Sequence, residues 1–245
     1  MKIECWPCDL EYDDEMQAYS QGLKLEGTPR TLSEMRIVGW DKEFFSQVDL
    51  NQLNYFVYRH SERGEDEKLF KAKGLGFDLT VIPPWHLGLE FNKTLGHYHP
   101  NAPNGKPFPE VYEVLQGEPC MLMQRRIGDT DEVDEVRLFK LKPRDKIVVP
   151  AGYGHFSINP TPETVVLANI VAEFKSEYDA IRRKEGAAFF FLTDGRILAN
   201  EKYEKELAIR EWGVHELDEN RALAGENMYM QFLEKPEKFD FLLGL

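Results

Sequence analysis

The sequence predicts a mainly β protein, a small antiparallel barrel or sandwich with helices before and after it, and three observations carry that expectation. Between residues 76 and 173 short β-rich runs recur: FDLTVI (77–82), VYEVLQ (111–116), CMLMQ (120–124), VRLFKL (136–141), KIVV (146–149) and TVVLANIVA (164–172). Turn residues separate them, at Pro83-Pro84, Asn104-Gly105, Gly117-Glu118-Pro119, Gly128-Asp129 and Pro143-Arg144-Asp145. The runs follow one another without the intervening amphipathic helices that parallel β/α units require.

Taken in order, residues 31–47 hold a short helix capped by Thr31 or Ser33, with an acidic first turn. Residues 54–60, NYFVYRH, alternate as a strand does, and 61–74 form a charged connection, a solvated loop or helix face. After the β-rich stretch, EYDAIRRKEG (177–186) is a helix ending at Gly186. AAFFFLT and RILAN, joined by Asp194-Gly195, are a hairpin, and the Phe189-Phe190-Phe191 run within it is a buried strand suited to a dimer interface. The tail from 201 is charged with helix-like stretches. With no internal repeat or Pro/Ser-rich linker, the division expected is a single domain over 1–198, its barrel core at about 54–173, and a helical extension over 199–245 packed on the barrel.

A chain of 245 residues, 42% hydrophobic and 30% charged, is long enough and apolar enough to fold around one sizeable core. No apolar run approaches the length of a membrane span, and the N-terminal stretch lacks the apolar core of a signal peptide, so cytoplasm is the expected location. The net charge of −13 disfavours nucleic acid and anionic lipid as partners, and it obliges any anionic substrate to find local cations. Lys93 and Lys106 are the candidates by proximity to the motifs below. Cys5 and Cys8 form a C-x-x-C pair without the second pair of ligands a zinc knuckle needs, and Cys120 stands alone in an apolar strand, so all three are expected to be ordinary thiols.

Of six histidines, His97 and His99 sit at H-x-H spacing in GHYHP, which in a strand sets both rings on one face. Glu110 opens EVYEVLQG on the next strand, and His155 follows a tight Pro/Gly turn in VVPAGYGHFSIN. Three imidazoles and a carboxylate suit one divalent ion per chain, Fe, Mn, Ni or Zn. Glu113 is the fallback carboxylate; its odd spacing from Glu110 sets the two on opposite strand faces, so both cannot point inward. His60, His86 and His215 lack partners at ligand spacing and are expected at the surface or in the core.

The order H-x-H, then Glu110 with Gly117 seven residues on, then Pro150, Gly152, His155 and Asn159, resembles the two motifs of the cupins. The resemblance implies a double-stranded β-helix, or jelly-roll barrel, with His97, His99, Glu110 and His155 as metal ligands. Two glycines usual in those motifs are replaced, by Phe91 and Arg144, both read as turn positions. Residues 79–84, 93–99 and 109–124 are further similar to the cupin-type glucose-6-phosphate isomerases, chiefly archaeal, through Thr94, Gly96, His97, His99, Glu110, Val111, Tyr112 and Gly117. That resemblance extends loosely over about 30–186. It implies an aldose–ketose isomerase interconverting glucose 6-phosphate and fructose 6-phosphate, a homodimer, with iron as the first choice of metal. It further implies Glu110 as both ligand and catalytic base, Thr80, Thr94 and Gly96 as phosphate contacts, and Tyr112 and Tyr178 lining the sugar pocket. A metal-assisted hydride shift is the competing mechanism. Two other readings stay open at this point, a cupin dioxygenase or decarboxylase with the same ligands, and a non-catalytic sugar-binding cupin; core packing is the bland alternative for both tyrosines and Thr80.

Overall fold

The computed structural model describes residues 2–4, 9–13, 17–20 and 23–244, so Cys5 and Cys8 lie outside the described residues. Four short strands, β1 (Lys2–Glu4), β2 (Asp9–Tyr12), β3 (Ala18–Ser20) and β4 (Leu23–Lys24), make a small antiparallel sheet. Strand β5 (Thr28–Thr31) leads into α1 (Leu32–Met35), which Thr31 caps, its backbone N–H donating to Glu34 Oε2 at 3.2 Å. The expected helix is in fact two, because Gly39 and Trp40 interrupt it and Asp41 starts α2 (Lys42–Gln47) by accepting from Phe44 N. Strand β6 (Leu53–Tyr58) follows, then α3 (Glu67–Lys73), stopped by Gly74 at φ +65°.

The barrel strands then alternate between two facing six-stranded sheets. They are β7 (Leu75–Ile82), β8 (His86–Leu87), β9 (Glu90–Lys93), β10 (Glu110–Gln116), β11 (Cys120–Arg126), β12 (Val133–Lys140), β13 (Lys146–Val149), β14 (Tyr153–Asn159) and β15 (Val165–Ala172). One sheet runs β13-β10-β15-β7-β6-β5, while β12-β11-β14-β9-β8 are neighbours in the other. Because β10 and β11 are joined through Gly117 yet pair in different sheets, and β13, β14 and β15 switch sheet at every turn, the connection pattern is the jelly-roll barrel of a cupin. Helix α4 (Asp179–Arg183), the hairpin β16 (Phe189–Phe191) and β17 (Ile197–Ala199), strand β18 (Ile209–Trp212), α5 (Asp218–Ala222) and α6 (Met228–Glu234) complete the chain, with 3-10 turns at Val214–Glu216 and Pro236–Leu243.

Strand periodicity explains how β7 is buried on both faces. Leu75, Phe77, Leu79 and Val81 join one apolar cluster, whereas Gly76, Asp78 and Thr80 line a cavity and Ile82 joins the core between the sheets. The first cluster lies outside the barrel and is covered by α3 and the C-terminal tail. There Phe70 stacks on Phe232 with ring centroids 4.1 Å apart, and Phe77 meets Tyr229 edge-on at 4.8 Å. The tail therefore buries the outer face of a sheet whose inner face carries the site.

Three expectations need correction. The tail is not wholly helical, since β18 extends the second sheet by pairing in parallel with β12 (Val136↔Ile209). Strand β14 does not stand out in the sequence, because Gly152 and Gly154 break up its apolar pattern; Gly154 permits the close approach of the Tyr98 ring. Phe91 is not at a turn but within β9, opposite His86. Arg144 does hold a turn, at φ +77°, a left-handed conformation that a side-chain-bearing residue adopts at a cost of about 1 kcal/mol or more.

Candidate metal centre

His97, His99, Glu110 and His155 converge, each offering a ligand atom within 4.8 Å of the others. The segment after β9 brings in the first two. His97 bridges to His155 in continuation of the β9–β14 pairing, with His155 N donating to His97 O at 3.2 Å, and the intervening Tyr98 turns the other way to Gln124. Glu110 is the first residue of β10, pairing with Val149 and Val171, and is 3% exposed. Glu113 faces outward, accepting from Met228 N at 2.6 Å and lying 3.4 Å from Lys146 Nζ, so the odd spacing does separate the two carboxylates.

The residues fit a cation. His99 Nδ1 is 2.8 Å from Phe108 O, which fixes its proton there and leaves Nε2 as a lone pair. That Nε2 lies 3.2 Å from Glu110 Oε2, and both are buried without a hydrogen-bond partner among the described residues. His155 Nε2 stands 3.3 Å from the same oxygen and 3.1 Å from the Tyr112 hydroxyl. Asn169 Nδ2 donates to the other carboxylate oxygen, Oε1, at 2.7 Å. Burial and the neighbouring imidazoles hold His97 well below its ordinary value, and burial takes His155 down to about 4. Burial alone would raise Glu110, but the neighbouring His99 and His155 rings bring it below the ordinary carboxylate value. The carboxylate is thus ionised and two of the imidazoles neutral near pH 7, the forms that bind metal.

One consequence can be measured without metal. The unfolded chain takes up a proton on His155 near pH 6.5, before the folded chain does near 4, so acid favours unfolding across that window. The gap of about 2.5 pH units corresponds to roughly 3 kcal/mol. The stability advantage of the chelated wild type over His155→Gln is expected to be fully present at pH 7 and smaller by about 2–3 kcal/mol near pH 4.5 in urea unfolding. Equal differences at the two pH values would refute it.

A cavity of about 490 Å³ opens beside the cluster. Its walls include all five expected substrate contacts, Thr80, Thr94, Gly96, Tyr112 and Tyr178, together with His97, Glu110 and His155. Thr94 Oγ1 accepts from Ser157 N at 3.0 Å, leaving its own O–H to donate. Burial and the Glu110 carboxylate raise the Tyr112 hydroxyl well above its usual value, so it stays protonated.

The cations at the cavity are not the ones the sequence pointed to. Lys93 is buried, paired with Glu90 and donating to Val38 O, and Lys106 lies on an exposed loop; neither lines the cavity. Arg30 and Arg59 do, from β5 and from the end of β6. Arg30 Nη2 donates to the Tyr178 hydroxyl at 3.3 Å, and Arg59 pairs with Asp78 at 2.9 Å. His60 also reaches the cavity edge, beside Glu62 at 3.4 Å. The only sequence signal for Arg59 is the alternation of NYFVYRH, which sets residues 55, 57 and 59 on one face.

The family described as Glucose-6-phosphate isomerase (GPI) matches residues 30–208. Glucose-6-phosphate isomerase of Thermococcus gammatolerans is 29% identical over 159 residues, covering 63% of this chain and 75% of its own. That of Thermococcus litoralis is 27% identical over 173 residues, 70% of this chain and 84% of its own. Thermococcus kodakarensis has one 26% identical over 192 residues, 78% and 92% respectively. Among solved structures, oxalate decarboxylase of Bacillus subtilis overlaps 54% of this chain and 30% of its own, at 19% identity and a TM-score of 0.37.

Proposed function

Since the chain belongs to the glucose-6-phosphate isomerase family, we propose that it interconverts glucose 6-phosphate and fructose 6-phosphate at the centre built from His97, His99, Glu110 and His155. The observation that carries this reading is the convergence of four ligand atoms, with His97, Glu110 and His155 on the wall of a cavity that also holds two guanidinium groups and Thr80, Thr94 and Gly96. A divalent ion bound there would supply Lewis acidity at the carbonyl end of the open-chain sugar.

The protein's own groups do the rest. The hydroxyls of Thr80 and Thr94 and the backbone at Gly96 receive the phosphate, with Arg30 adding positive charge on the same side of the barrel. Tyr112 and Tyr178 line the sugar chain, and Tyr112, protonated, donates a hydrogen bond. Glu110 takes a proton from C1 of fructose 6-phosphate, exchanges it in part with solvent and delivers a proton to C2, while the hydroxyl proton passes from O1 to O2; Asn169 keeps the Glu110 Oε1 engaged so that Oε2 faces the centre. The proposal extends to iron as the resident ion, to a homodimer and to the cytoplasm. The N₃O donor set is compatible with iron, and the described residues contain no helix long and apolar enough to cross a membrane.

The test is a coupled assay for glucose 6-phosphate formed from fructose 6-phosphate, on chelated protein and on protein reloaded with Fe, Mn, Ni or Zn. Activity is expected to fall to background on chelation and to return with at least one ion. No conversion with any of the four would remove the isomerase reading.

A further inference from the structure

One buried carboxylate on the cavity wall has no part in the chemistry above. Asp78 is only 4% exposed, and on β7 it points to the same side as Thr80. It occupies the same register row as Asn169 of β15 and Tyr112 of β10. Its Oδ1 accepts from His60 N and its Oδ2 from Arg59 Nη1, both at 2.9 Å. An ionised carboxylate has about four acceptor positions, so roughly two remain for a donor that enters the cavity. Burial is incompletely offset even with Arg59 beside it, and the group titrates near pH 6 rather than 3.8. Arg59 is half exposed, and with Nη1 engaged its fork keeps further N–H donors at the same spot.

We propose that Asp78, aligned by Arg59, is the specificity element that reads the hydroxyl-bearing carbon chain of the sugar phosphate, accepting hydrogen bonds from adjacent hydroxyls while the cavity's other donors hold the phosphate. This rests on the isomerase reading given above. A site built to pair with hydroxyls discriminates strongly against ligands without them, because its own polar group is then left buried and unpaired.

The experiment is calorimetric titration of the metal-loaded protein with fructose 6-phosphate and, separately, with inorganic phosphate, in wild type and Asp78→Asn. The variant is expected to bind fructose 6-phosphate at least about tenfold more weakly and inorganic phosphate equally well or more tightly, since a negative charge has left the cavity. In turnover the loss should lie mainly in KM rather than kcat. Fructose 6-phosphate binding within twofold of wild type, or an equal loss for both ligands, overturns the proposal. Should Asp78→Asn not fold, Arg59→Lys at the half-exposed partner decides, because it keeps the positive charge and removes the fork that aligns Asp78; a smaller loss in the same direction is expected for the sugar phosphate alone. Wild-type protein that neither binds nor converts fructose 6-phosphate overturns the isomerase reading and this proposal together. Wild type that does both beside an unaffected variant overturns only the role of Asp78.

Discussion

Replacing Glu110 with glutamine is expected to lower kcat by about 10²–10⁴-fold in metal-loaded protein, with little change in folding. The substitution keeps volume and shape, and the amide oxygen can still accept from Asn169 Nδ2, so β10 has no reason to move. What changes is the group that lies 3.2 Å from His99 Nε2 and 3.3 Å from His155 Nε2. An anionic acceptor becomes a neutral amide that can neither take a proton from carbon nor serve as an anionic ligand. Three measurements separate these losses: the metal content per chain, the thermal midpoint, and deuterium uptake from D₂O into the sugar product. Proton transfer through Glu110 predicts solvent deuterium at C2 in the wild-type reaction. Loaded Glu110→Gln with kcat within tenfold of wild type, or product free of solvent deuterium, would assign hydrogen transfer to a direct shift between carbons instead.

Gly96→Ala is expected to be the most damaging single methyl group in the chain. Gly96 has φ +76°, where a residue with Cβ is strained, and an added Cβ would overlap the ring of Phe156, which is fully buried in the core between the sheets. Neither the backbone nor the ring can yield without disturbing His97 on one side or the barrel core on the other. A loss of about 3 kcal/mol follows from the two effects combined, or roughly 6–12 °C in Tm for a chain of this size. Metal affinity should fall by about tenfold or more as His97 leaves its place. A variant with wild-type Tm and wild-type metal affinity would show that the GHYH segment tolerates another backbone path.

The β-rich barrel and the shared face of His97 and His99 were legible from local regularities, whereas the jelly-roll and the places of Glu110 and His155 came from the cupin resemblance. H-x-H in an extended segment sends two rings the same way, and the odd spacing of Glu110 and Glu113 sends one carboxylate to the centre and the other to Lys146 and Met228. The short runs broken by Gly, Pro and Asp marked most of the barrel strands for a similarly local reason. Strand β14 was hidden by Gly154 and the polar residues around it, and β18 by its charged pair Arg210-Glu211, both exposed. Lys93 misled because it adjoins the motif in sequence; its ammonium instead lies buried with Glu90, Val38 O and the Phe190 ring.

By itself, then, the sequence determined what depends on periods of two residues and on turns: a mainly β fold, one shared face for His97 and His99, and opposite faces for Glu110 and Glu113, with the cupin resemblance supplying the rest of the ligand set. Which charges line the cavity, and what the tail covers, were decided only by the tertiary structure. Arg30, Asp78 and Asn169 lie on three different strands and Arg59 just past the end of a fourth, and register across the sheet, which no local pattern encodes, sets them around one cavity. The tail's Tyr229, Phe232 and Phe239 acquire their role the same way, since only pairing at long range exposes an apolar outer face on that sheet for them to cover.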